Sequence, residues 1–144
     1  PVVFGVEISV INKSAESAGV KFENIVSTYG DTKGQYLQRC LADLREAIRA
    51  PKDTGFFCYR GIESLRQFFF QEMKAKDDRV SWELLRSELD VERGDIETIK
   101  GFADPIWHGG GGGISDEERA NVFTLTWNVV NKFIKYANRG YQKA

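Results

Sequence analysis

The amino-acid sequence predicts an α+β domain, predominantly α, with an N-terminal β-hairpin over residues 1–35 packed on a bundle of about five helices over residues 36–144. Two changes of pattern predict it. Near the start, Val6-Glu7-Ile8-Ser9-Val10 alternates apolar and polar residues, the two-residue period of a strand with one face on a core. After Gly34 the apolar residues recur at steps of three and four, the period of an amphipathic helix. The length of 144 residues is that of a single domain with its own core.

The elements follow in chain order. Val2 to Ile11 reads as a strand, the polar stretch Asn12 to Gly19 as a connection, and Val20-Lys21-Phe22-Glu23 as a second strand that slips phase at Asn24-Ile25. Tyr29-Gly30-Asp31 and Lys33-Gly34 supply turn chemistry. Leu37, Leu41, Leu44 and Ile48 then mark a first helix ending at Pro51, because the residue before a proline is pushed out of helical geometry. A second helix starts at Asp53 or Thr54, carries Cys58, Ile62, Leu65 and Phe69 on one face and runs to about Met73. Ala75 to Arg79 reads as a loop, and Ser81 opens a short helix with Trp82, Leu85 and Leu89 inward. Asp90 to Gly94 breaks it; a fourth helix places Ile96, Ile99 and Ala103 on one side and stops at Pro105. Five consecutive glycines, Gly109 to Gly113, precede Ser115-Asp116-Glu117-Glu118, a capping box that starts the last helix. Val122, Leu125, Val129, Phe133 and Tyr136 or Ala137 form its apolar face, and Asn138 or Gly140 ends it. The chain reads as having no internal repeat.

Composition narrows the class. Hydrophobic residues are 42% and charged residues 28% of the chain, with 3 prolines, which excludes collagen-like and generally disordered proteins. No apolar run approaches the roughly 20 residues needed to span a bilayer, and no secretory signal pattern is present, so the cytoplasm is the expected compartment. Two cysteines, Cys40 and Cys58, both within helices, are expected to be buried reduced thiols. With a single histidine and no Cys or His cluster, neither a metal site nor a cofactor is expected.

The net charge of −1 conceals a segregation. Residues 81–118 carry a net −7 and residues 119–144 a net +5. A basic last helix lying beside acidic neighbours, offsetting its own carboxyl-end dipole, is the simplest account. The sharper account is a phosphate-facing stripe of Lys132, Lys135 and Arg139, extended by Lys143; a pI near 5.9 disfavours nucleic acid as the partner.

Two further features bear on function. Phe68, Phe69 and Phe70 are consecutive and fan around most of a helix circumference at about 100° per residue, so Phe68 and Phe70 become candidates for the interface of a homodimer. Asp104-Pro105-Ile106-Trp107-His108 before the glycines is the one local constellation with a titratable ring, a carboxylate and a flexible loop. His108 is the candidate catalytic residue, with Asp104 and Trp107 as candidate binding residues. The glycine run lacks the lysine of a P-loop, and three acids follow where a phosphate would sit.

A helical bundle with the His108-Gly109 step opening a loop before the last long helix resembles the HEPN superfamily of small α-helical, often dimeric proteins, over roughly Tyr36 to Ala137. The resemblance implies metal-independent cleavage of RNA by an Arg followed, after four to six residues, by a His. Only His108 matches: Gly101, Phe102 and Ala103 stand at the Arg positions and Lys100 is one residue too distant. Arg60, Arg66 or Arg119 would have to supply the cation through folding.

These readings rank a non-catalytic binding or assembly module first, because no complete catalytic set is visible. A HEPN-like ribonuclease is the first alternative. A small-molecule binder with a pocket between helices, lined by Trp82, Trp107 and Trp127, is the second.

Overall fold

The computed structural model describes residues 29–104 and 114–144, and every regular element among them is helical. Five α-helices follow one another: α1 (Gln35–Arg49), α2 (Thr54–Gln71), α3 (Asp78–Leu89), α4 (Arg93–Gly101) and α5 (Asp116–Asn138), with a 3-10 turn at Pro51–Asp53. The expected α+β class is therefore corrected to α-helical for the described residues. The two expected strands lie outside them, and Tyr29, inside the segment assigned to the hairpin, is already helical. Alternation over five residues is a weak discriminator, because positions i and i+4 share a face in a strand and in a helix alike.

Each helix forms for a reason present in its residues. In α1, Tyr36, Leu37, Cys40, Leu41, Leu44, Ala47 and Ile48 are buried along one face. Pro51 opens the 3-10 turn that redirects the chain into α2, where a missing amide hydrogen costs nothing. The expected start of α3 at Ser81 is corrected to Asp78. Asp77 is the cap, its carboxylate accepting from the Val80 amide at 2.9 Å, while Ser81 is buried inside the helix and donates to the Asp78 carbonyl. At α5 the capping box is present: Ser115 Oγ accepts from the Glu118 amide and Glu118 Oε1 from the Ser115 amide, both at 3.1 Å.

The core lies between α1, α2 and α5. Trp127, Phe123, Phe133 and Ile134 from α5 meet Leu65 and Phe69 from α2, all fully buried. Close approach is achieved with small residues: a Cβ on Gly61 would lie 3.3 Å from the Cys40 carbonyl oxygen of α1, and one on Gly55 only 2.1 Å from the Phe102 carbonyl oxygen after α4. Cys40 and Cys58 are both free and buried in this core; burial raises both thiols, Cys58 to about 12, so they stay protonated. Arg119 joins three helices. It donates to the Ile48 carbonyl at the end of α1 (2.9 Å) and to Thr54 Oγ1 at the start of α2 (2.9 Å), placing a cation at the negative end of the α1 dipole.

Candidate functional site

Helices α3 and α4 both pack on α2 and α5 rather than closely on each other, and a cleft of about 680 Å³ opens between them. Tyr59 of α2 and Trp82 of α3 are stacked within it, ring centroids 5.7 Å apart and planes 15° from parallel, and Ile96 of α4 completes the apolar lining. A smaller hollow of about 300 Å³ shares Tyr59, Lys100 and Asp104 with this cleft and continues it past Ala103 to Phe56, which is 44% exposed. The apolar strip is thus open to solvent at that end.

The floor is held from beneath by Arg66, only 6% exposed. Its guanidinium donates to Ser81 Oγ at 3.0 Å and pairs with Asp78 at 3.1 Å, and its central carbon lies 5.3 Å from the Trp82 ring centroid, within cation–π range. Trp82 is therefore fixed by Tyr59 and Arg66 before anything binds. Burial and, secondarily, the Glu63 carboxylate raise the Tyr59 phenol, which stays a neutral hydrogen-bonding group.

The walls carry matching charge. On α3 the cleft is lined by Arg79, Trp82, Glu83 and Arg86; on α4 by Arg93, Ile96, Glu97 and Lys100. Both sets read Arg-x-x-apolar-Glu-x-x-cation, residue 79 corresponding to 93 and 86 to 100. In each wall the first pair is closed on itself, Arg79 with Glu83 and Arg93 with Glu97, as expected of i,i+4 partners. Arg86 and Lys100 are left as the cations of the two walls whose side chains have no hydrogen-bond or ion-pair partner among the described residues.

The residues singled out in the sequence are distributed differently. Asp104 lines this cleft and its shallow extension. His108 and Trp107 lie outside the described residues. Trp127 is sealed in the core at 0% exposure, so the expected tryptophan-lined pocket retains Trp82 alone among the described tryptophans. Lys132 donates to the Asp90 carbonyl at 2.6 Å, tying α5 to the end of α3, and Arg139 Nε donates to the Gln142 carbonyl at 3.1 Å; with Lys135 exposed, the stripe is one staple, one exposed cation and one local turn contact. Phe68 is 2% exposed because the chain reverses at Gly140, in left-handed conformation at φ 72°, and stacks Tyr141 on its ring at 4.8 Å. Phe70 is half-buried. The three arginines named as possible partners of His108 are all engaged: Arg60 with Asp43 at 3.4 Å, Arg66 beneath Trp82, and Arg119 at the α1–α2 junction.

Tyr59, Arg79 and Arg86 were not singled out by the sequence, and Arg93 and Lys100 were weighed only as the cation partner of His108 and set aside as too distant. The signal for four of them was the paired eight-residue pattern, which disappears when charge is totalled over long segments.

A family model described as "Domain of unknown function (DUF8168) C-terminal domain" matches residues 22–138. The chain belongs to that family. The match spans all five described helices of this DUF8168 C-terminal domain, and so includes both walls of the cleft. No curated protein and no solved structure matches the chain. No helix among the described residues is long and apolar enough to cross a membrane, and no group of three or more His, Cys, Asp or Glu residues suited to a metal ion occurs among them.

Proposed function

We propose that this DUF8168 C-terminal domain is a non-catalytic binding module whose ligand face is the cleft between α2, α3 and α4. The observation that carries this reading is the pre-assembled Tyr59–Trp82 stack lying between two walls that each end in a cation without a side-chain partner among the described residues. The ring positions are already fixed, so binding has little side-chain order to impose there. The open, charge-rimmed shape favours a macromolecular surface over an enclosed small molecule, since small-ligand sites are mostly apolar and bury most of their occupant. A ribonuclease built on His108 would need a cation beside that ring, and Arg66 and Arg119 are held within the fold by Ser81 and Asp78 and by Ile48 and Thr54, while Arg60 pairs with Asp43 at the surface. Two free, buried thiols favour a reducing, cytoplasmic setting.

The test is selection of a random peptide library on the immobilised domain, with the recovered peptides re-measured on Trp82→Ala. The reading expects peptides that bind the native domain and lose at least about tenfold in affinity on the variant, the scale of a central aromatic anchor. Recovery only of peptides indifferent to Trp82, or of none, would contradict it.

A further inference from the structure

The two walls narrow the occupant further. Glu83 and Glu97 are held by Arg79 and Arg93 on their own helices, so the wall cations without a side-chain partner among the described residues are Arg86 and Lys100, one on each side of an apolar strip, with the Asp104 carboxylate at the end of the cleft beyond Lys100. The Arg79–Arg86 stretch extends about 10 Å at 1.5 Å per residue, two helical turns. An amphipathic helix meets this geometry: its apolar stripe covers Trp82, Tyr59 and the exposed Phe56, and carboxylates on both flanks meet the two cations. A second copy of the chain fits less well. Both walls have the same order, cation, acid, cation, so wall against wall in direct register brings like charges together in either direction.

Resting on the reading of the cleft as the ligand face, we infer that its occupant is an amphipathic helix of a protein partner with acidic residues on both flanks of its apolar stripe. Arg86 and Lys100 set this preference, and the aromatic pair supplies the apolar contact.

Three end-labelled synthetic helical peptides of about 14 residues test this by fluorescence anisotropy against the full chain. They share one leucine stripe and differ in flanks of glutamate, glutamine or lysine. The glutamate peptide is expected to bind about tenfold or more tighter than the lysine peptide, and to weaken as salt screens the exposed charges. In the double variant Arg86→Glu, Lys100→Glu the order should invert, and in Arg86→Gln, Lys100→Gln it should flatten; circular dichroism establishes that each variant is folded. Equal binding of all three peptides, or an order unchanged by reversal, would overturn the charge assignment while leaving the cleft as a binding face, provided Trp82→Ala still abolishes binding. Absence of binding by any of the three would overturn the helix assignment, and the library selection then decides separately whether the cleft binds at all. Self-association of the chain that is abolished by Arg86→Glu, Lys100→Glu would assign the groove to a second copy and also overturn it.

Discussion

Helix α2 meets two different neighbourhoods. Towards α1 and α5 it is closed: Cys58, Ile62, Leu65 and Phe69 have no exposed surface, and Gly61 lets α1 approach nearly to backbone contact. Towards α3 and α4 the same helix leaves Tyr59 half-buried and Phe56 exposed. The difference follows from what faces α2. Small and branched apolar side chains interdigitate at crystal-like density, whereas the long cations of α3 and α4 keep their heads in water and stand along the gap. One side of the domain is spent on stability, and the other presents rings and charges that the fold itself does not need covered.

The largest effect is expected at Gly55, where the first turn of α2 is closed against the end of α4, outside the open stretch around Tyr59. Replacement of Gly55 by alanine puts a Cβ against the Phe102 carbonyl, a backbone atom that cannot rotate away. Gly55→Ala is expected to lower stability by roughly 3 kcal/mol, read by urea denaturation; a native-like midpoint would mean that α2 and the end of α4 do not meet so closely. A step smaller is Arg119→Met, which keeps the side-chain stem but removes the donors to the Ile48 carbonyl and Thr54. The expected cost is about 2 kcal/mol, and a cost near zero would show that water replaces the guanidinium at the α1–α2 junction.

Much of the closed side was legible in the sequence. Leu37, Leu41, Leu44 and Ile48 repeat at helical spacing and are buried, and Ser115 with Glu118 announced the start of α5 in its residue types alone. Both signals are local, carried within about three turns of one helix. The start of α3 was missed because two capping residues compete there; Asp77 caps, and Ser81 is drawn inside by Arg66. Phe68 could not be placed from its own helix, since the ring that covers it, Tyr141, comes from beyond the end of α5. The cleft was illegible for a similar reason. The pattern at 79–86 and 93–100 is visible once sought, but that α3 and α4 face one another across Tyr59 depends on how both dock on α2. The alternation from Val6 to Val10 lies outside the described residues, and five residues do not by themselves separate the two periods.

The claim at the centre is that the open side is the working side, and amide hydrogen exchange of the chain with and without a library-selected peptide addresses it most directly. Slowed exchange concentrated in α3, α4 and residues 56–63, with α1 unchanged, is the predicted result. Protection centred instead on the exposed face of α1, around Gln38, Ala42 and Arg45, would contradict it.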